Sequence, residues 1–168
     1  MHSPDLAGAS APQDGKFDTL REFKLHLSRA VETAQYELLC LDPDFAFWGL
    51  ESAQMAQLLR AFFLRRPDAR IKLALHETHY LQRCPHFLRT VQAFPLACET
   101  RQTPRKLREL RDSFCIADQR HIVRRYHADH MRGEAVFSTP EACFTPLERW
   151  RQLWDACHPC LPVFSSGI

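Results

Sequence analysis

The chain has 168 residues, which fits one domain, since single domains usually contain roughly 100–200 residues. Its residues are 45% hydrophobic and 25% charged, with 5 Gly and 11 Pro, which excludes wholesale disorder and collagen-like or glycine-rich repeats. The formal net charge is only +2, but residues 101–132 hold nine basic and four acidic residues, so positive charge is concentrated there and favours an anionic partner.

The first 16 residues are small, polar and aperiodic, which predicts a flexible leader before a folded domain at residues 17–160 and a C-terminal tail at 161–168. Residues 1–16 lack the basic start and apolar core of a secretory signal. The sequence also contains no run of about 18 uncharged apolar residues. Seven cysteines spread along the chain fit reduced, mostly buried thiols. We therefore predict a cytoplasmic protein.

Helical and strand patterns alternate along the first hundred residues. Thr19 and Glu22 form a capping box before an apolar helical face. The elements that follow are a strand at 36–41 ended by Asp42-Pro43-Asp44, a helix at 52–66, a strand at 70–76, a helix at 86–94 and a strand at 96–100. A β-α-β-α-β order implies parallel strands with helices on the faces.

After residue 112 the alternation of helix and strand patterns gives way to consecutive strand patterns. Residues 113–117 and 121–126 predict an antiparallel hairpin, and 134–137 predict one more strand. The closing helix is predicted to begin at Thr145, with Pro146 in its first turn. Together these patterns predict an α/β fold with a mixed, mainly parallel sheet and helices on both faces, an α/β/α sandwich without internal repeats.

This order of elements, with an Asp in the late hairpin and a closing aromatic helix, resembles one half of a phospholipase D-like protein over about residues 18–157. That superfamily carries H-x-K-x4-D on the strand leading into the hairpin, where His attacks phosphorus, Lys binds phosphate and Asp supports the site. The frame that ends at Asp118 places Arg111 at the His position and Ser113 at the Lys position. Arginine keeps its proton near neutral pH and serine carries no charge. Ser138-Thr139 also lacks the Gly and Asn of the family's G-S-x-N segment. The resemblance therefore implies a half-domain without its nucleophile.

We expect such a domain to bind rather than to react, because arginine forks hold phosphate without catalysing its transfer. The ligand would be a phosphate group, a nucleotide or a nucleic-acid backbone. The candidate binding residues are His76, His79, Arg111, Ser113, Asp118, Arg120, Arg124 and Arg125. The alternative is that these arginines form a solvated face or pair with Glu109, Asp112 and Asp129.

The resemblance also implies partners. The chain looks most like a proteobacterial branch often fused to, or encoded beside, GNAT-type acetyltransferases, so docking of such a protein partner stays open. Because the superfamily pairs two halves across one interface and this chain supplies one, a homodimer is a further expectation.

Two other hypotheses concern histidines and cysteines. A divergent phosphodiester hydrolase would use histidines after the strands, namely His76, His79 or His121. A zinc-stapled interaction module would take two N and two S ligands from His127-x-x-His130 and Cys157-x-x-Cys160. A redox role for the C-x-x-C pair is disfavoured, because Cys157 falls at the end of a helix, where the dipole opposes a thiolate.

Overall fold

Eight strands form one mixed sheet in the computed structural model, which describes residues 13–161. The strands are β1 (Gly15–Phe17), β2 (Glu37–Leu41), β3 (Arg70–Leu75), β4 (Cys98–Gln102), β5 (Ser113–Ala117), β6 (His121–Arg125), β7 (Gly133–Val136) and β8 (His158–Pro159). The helices are α1 (Leu20–Thr33), α2 (Ala53–Arg65), α3 (His79–Gln82), α4 (Pro85–Ala93) and α5 (Pro140–Ala156), with a 3-10 turn at Arg105–Leu107.

The strand order in the sheet is β1-β7-β6-β5-β2-β3-β4-β8. β2, β3 and β4 run parallel to one another, and the other five strand pairings are antiparallel. The prediction of a mainly parallel sheet is therefore wrong. Helical crossovers join β2, β3 and β4, whereas β5, β6 and β7 follow one another through short connections, which can only build antiparallel neighbours.

Helices cover both faces of the sheet. α1, α2 and α4 pack on one face around a core that contains Phe23 and Leu38. α5 packs on the other face, where the Trp150 and Phe114 ring centroids lie 6.5 Å apart and Leu39 joins the core. Neighbouring strand residues alternate between the two cores because the side-chain period of a strand is two. Among the described residues, no helix has both the length and the apolar character needed to cross a membrane.

Two elements are shifted from the prediction: β4 spans Cys98–Gln102 rather than 96–100, and α5 starts earlier. α5 begins at Pro140 rather than near Thr145, because its buried face already starts at Cys143, so Pro146 lies inside the helix. The predicted leader lies outside the described residues up to residue 12, and its last two residues belong to β1, which pairs with β7. Of the predicted tail, only Leu161 lies within the described residues.

Candidate functional site

The ends of several strands meet at one border of the sheet, which we call the carboxyl edge. β2, β3, β4 and β6 end there, and the antiparallel β5 and β7 begin there. The opposite border, where the β5–β6 hairpin turns, is called the amino edge. In α/β sheets, ligands usually bind outside the carboxyl ends of the strands, so a ligand site is expected at the carboxyl edge.

A buried ion pair lies at the centre of the carboxyl edge. Arg125 is 3% exposed, and its Nη2 donates to Asp42 Oδ1 at 2.7 Å. Its Nη1 donates to the Ala128 carbonyl at 2.8 Å, and its Nε donates to Ser113 Oγ at 3.2 Å. Ser113 in turn donates to Asp42 Oδ1 at 2.6 Å. All three guanidinium nitrogens of Arg125 are thus engaged inside the protein.

Asp42 is the member of this network that is absent from the predicted set. Its second carboxylate oxygen accepts the N–H groups of Asp44 at 3.1 Å and Phe45 at 2.7 Å, so the ion pair also shapes the loop after β2. A carboxylate directly after a buried strand, at the carboxyl end, is the signal that could have identified it.

Arg111 and Asp118 lie at opposite ends of β5. Arg111 is exposed at the carboxyl edge, with its Nε 3.9 Å from an Asp129 carboxylate oxygen. Asp118 is in the left-handed region at the amino edge, and its carboxylate accepts the backbone N–H groups of residues 35–37 at 2.8, 2.8 and 3.0 Å. The five residues of β5 separate the two by about 15 Å. Asp118 thus ties the hairpin to the start of β2, and Arg120 lies in the same turn.

Arg124 points to the other face of the sheet from Arg125. Its Nη2 donates to Glu134 Oε1 at 2.6 Å and its Nε donates to the same oxygen at 3.0 Å. The predicted binding residues are therefore distributed over an internal ion pair, a surface ion pair and both edges, and the structure does not bring them into one cluster.

His76 anchors the segment that connects β4 to β5 through hydrogen bonds at both ends. This buried imidazole lies 2.6 Å from Thr103 Oγ1 through Nδ1 and 2.8 Å from the Leu110 carbonyl through Nε2. Because a carbonyl only accepts, Nε2 carries a proton and donates it to Leu110. Both ring nitrogens of His76 are engaged. By contrast, the His79 side chain is 84% exposed, 3.3 Å from Glu77.

His121 lies at the amino edge, away from the other predicted histidines. Its Nδ1 accepts the Ser138 N–H at 2.8 Å, so the folded structure uses the neutral ring. Burial lowers the pKa of His121, and the Arg120 charge lowers it further, against a smaller opposing effect of Asp118.

The predicted zinc ligands form two separate pairs. His127 and His130 lie in the β6–β7 connection, with ring centroids 5.4 Å apart. Cys157 and Cys160 flank β8, five strand positions away across the sheet, or about 24 Å. Burial raises the pKa of each thiol to about 11. Within residues 13–161, no group of three or more His, Cys, Asp or Glu side chains is arranged to hold a metal ion. The structure therefore does not assemble the four-ligand site.

A row of exposed cations follows the carboxyl edge. This basic rim comprises Arg105, Lys106, Arg108, Arg111 and Arg132, all exposed. Within the described part of the chain, only Arg111 among them approaches a carboxylate closely enough to form an ion pair. Arg111 faces Asp129, whereas the other four cations of the rim form no ion pair within the described residues, so the rim keeps a net positive charge beside the exposed Glu109 and Asp129.

Comparison with known proteins identifies a family and a fold. A family model described as a domain of unknown function (DUF7931) matches residues 19–163. A search of curated proteins returned no match.

Solved structures share the fold at low sequence identity. TrmBL2, described as an archaeal chromatin protein with a novel mode of DNA binding, superposes with a TM-score of 0.69 at 13% identity. The match covers 92% of this chain and 57% of TrmBL2, so the chain spans little more than half of that protein. Nuc from Salmonella typhimurium, described as a phospholipase D family member, gives a TM-score of 0.57 at 14% identity, covering 88% of this chain and 96% of Nuc. NucT from Helicobacter pylori gives 0.58 at 8% identity, covering 88% and 99%. The predicted similarity of fold to phospholipase D-like proteins is confirmed.

Proposed function

The chain belongs to the DUF7931 family, and we propose that it binds the phosphate backbone of a nucleic acid through the basic rim without cleaving it. The observation that carries this proposal is the rim itself, five exposed cations on the edge of the sheet where ligands of α/β folds bind. Phosphate neutralisation by Lys and Arg supplies most of the sequence-independent affinity for nucleic acid.

The segment that carries three of these cations is held in place rather than loose. His76 contacts Thr103 at one end of the segment and Leu110 at the other, and the Thr103 N–H donates to the Leu75 carbonyl at 2.9 Å. Arg105, Lys106 and Arg108 are therefore presented from a fixed backbone, which lowers the entropic cost of binding a regularly spaced polyanion.

The residues at the motif positions support the proposal that the chain does not cleave its ligand. Arg111 cannot act as a nucleophile or base because its guanidinium stays protonated. Ser113 donates its only hydroxyl proton to Asp42, and its oxygen accepts a hydrogen bond from Arg125 Nε. Its side chain is therefore fully engaged in the internal network. His76, the buried imidazole nearest this network along the carboxyl edge, has both nitrogens engaged.

The descriptions of the similar structures support the proposed ligand class. TrmBL2 is described as binding DNA, and Nuc as a phospholipase D family member. In the proposed role, the domain recognises a phosphodiester but does not hydrolyse it.

The test measures the affinity for a fluorescently labelled duplex oligonucleotide by fluorescence anisotropy, at salt concentrations between about 50 and 200 mM. We expect the affinity to fall steeply with salt, with a log–log slope near 0.9 for each phosphate neutralised. Replacing Arg105, Lys106 and Arg108 by Gln should reduce the slope by about two to three and weaken binding about a hundredfold or more at low salt.

The matched control removes three positive charges elsewhere. Arg29, Arg60 and Arg151 lie on helices α1, α2 and α5, and within the described residues none forms an ion pair. Their replacement by Gln should leave most of the affinity intact. Equal losses in the two triple variants, or no salt-sensitive binding by the parent chain, would contradict the proposal, and appearance of shortened oligonucleotide would contradict the non-catalytic part.

Docking of a protein partner, an acetyltransferase among them, stays a prediction from the resemblance, as do the homodimer and the cytoplasmic location. The homodimer has a direct check: light scattering of the isolated chain should give twice the monomer mass of 19.6 kDa, and a monomer mass would contradict it.

A further inference from the structure

An open cleft lies beside the basic rim, between α5 and the carboxyl-edge ends of β5 and β6. Its volume is about 310 Å³, at the lower end of the size range of small-ligand sites. The cleft is lined by Asp112, Ser113, Phe114, Arg124, Tyr126 and Arg149, among others. None of the five residues of the basic rim lines it.

Two arginines on the walls of the cleft, Arg124 and Arg149, are held in surface ion pairs. Arg149 makes a two-pronged contact with Asp112, Nε to Oδ2 at 2.9 Å and Nη2 to Oδ1 at 3.0 Å. Arg124 is bound to Glu134. These pairs are partly exposed, so they are weak, and a phosphate can compete with each carboxylate for the same guanidinium fork.

The cleft also presents an aromatic ring. Tyr126 is 51% exposed, and the Arg124 guanidinium carbon lies 5.6 Å from the centre of its ring. The Tyr126 N–H donates to the carbonyl of Arg132 at 2.9 Å, so the ring projects from backbone that is tied to a residue of the basic rim. The Tyr126 ring therefore lies at the end of the rim that Arg132 occupies.

We propose that the cleft accepts an unpaired base of single-stranded nucleic acid, stacked on Tyr126, with Arg149 and Arg124 facing the adjoining phosphate. This inference rests on the proposed function and specifies the ligand class further. A base inside a duplex is stacked and paired, so it cannot enter the cleft, whereas every unpaired base offers a face to an aromatic side chain. The domain should then prefer single strands to duplexes of equal phosphate number.

The experiment compares a single strand of about 24 nucleotides with a duplex of about 12 base pairs, which carry about the same number of phosphates, for the parent chain and three tyrosine variants. Tyr126→Leu should weaken single-strand binding about tenfold, leave duplex binding unchanged and leave the salt slope unchanged, because it removes stacking and no charge. Tyr126→Phe, which keeps the ring, should retain the single-strand preference.

Tyr36→Leu is the matched control. Tyr36 is 52% exposed and also has an arginine over its ring, Arg66 at 4.3 Å, but it lies at the amino edge beside Asp118. Its replacement should change neither affinity. Equal affinities for single strands and duplexes, or equal effects of the two Leu variants, would overturn this inference while leaving backbone binding by the rim intact. If the parent chain bound neither oligonucleotide, both proposals would be overturned.

Discussion

Adjacent arginines at the end of β6 have opposite environments. Arg125 points into the core beneath the carboxyl edge and pairs with Asp42, both side chains being 1% exposed. Arg124 points to the other face and pairs with Glu134 at the surface. The difference follows from the two-residue period of a strand, which sends successive side chains to opposite faces. Two residues of identical chemistry therefore contribute to stability in different ways.

We expect Arg125→Met to destabilise the fold by about 3–5 kcal/mol, because it leaves the Asp42 carboxylate buried without its counter-charge. Arg124→Met removes an exposed pair and should cost less than about 1 kcal/mol. Denaturant unfolding of the two variants measures both values. Adding Asp42→Asn to Arg125→Met should recover part of the loss, since it removes the stranded charge, and similar losses in the two single variants would contradict this account.

At the scale of elements, the β6–β7–β1 region depends on a glycine with no room for a side chain. A Cβ at Gly133 would collide with the backbone carbonyl oxygen of Arg124 and lie 2.6 Å from Phe17 Cζ. Gly15, across from β7 on β1, has only His26 ring atoms at 3.7 Å, which is ordinary contact distance. Close approach of neighbouring backbone, rather than turn conformation, accounts for glycine at position 133.

Gly133→Ala should therefore destabilise the protein by about 1–3 kcal/mol, the usual range for overpacking. Amide hydrogen exchange should accelerate first in β1 and β7, whose pairing includes Phe17 opposite Gly133. Gly15→Ala, the control on the partner strand, should be neutral or slightly stabilising because it restricts the unfolded chain. Uniform acceleration of exchange over the whole sheet would show that β1 and β7 do not open as a separate unit.

Patterns local in sequence predicted most of the elements. The Thr19 cap is confirmed, with its hydroxyl accepting the Glu22 N–H at 3.2 Å, and so is the hairpin at residues 113–125. Strand directions were less accessible, because they depend on which strands become neighbours. β5 lies against β2, which is distant in sequence, and β1 and β8 are two to three residues long, too short to show a period.

The candidate site was predicted in part. The cluster of basic residues predicted at 101–132 contains all five members of the basic rim. The other candidate residues differ in burial, which the sequence does not show. Arg125 is buried against Asp42, which lies 83 residues earlier in the chain, whereas Arg111 is exposed. The candidate binding residues also included both Arg111 and Asp118, whereas the length of β5 keeps the two apart.

For the molecule as a whole, two buried imidazoles should make stability depend on pH. Burial lowers the pKa of His26 and His121, aided by Arg29 and Arg120 and opposed by Glu22 and Asp118 respectively. Just below the ordinary histidine pKa of 6.5, both histidines therefore hold fewer protons in the folded than in the unfolded chain. Their contribution to stability is complete above that pH, and is lost as the pH falls through the lowered folded pKa values.

We expect the free energy of unfolding to decrease between about pH 7.5 and pH 5.5 in denaturant titrations. His121→Asn should reduce that decrease, because the amide oxygen can still accept the Ser138 N–H and does not titrate. His79→Asn, at an exposed position, should retain the full decrease of the parent chain. If His121→Asn and His79→Asn kept the same pH slope, protonation of His121 would not be a source of acid destabilisation, and the neutral ring at the amino edge would lack the role assigned to it.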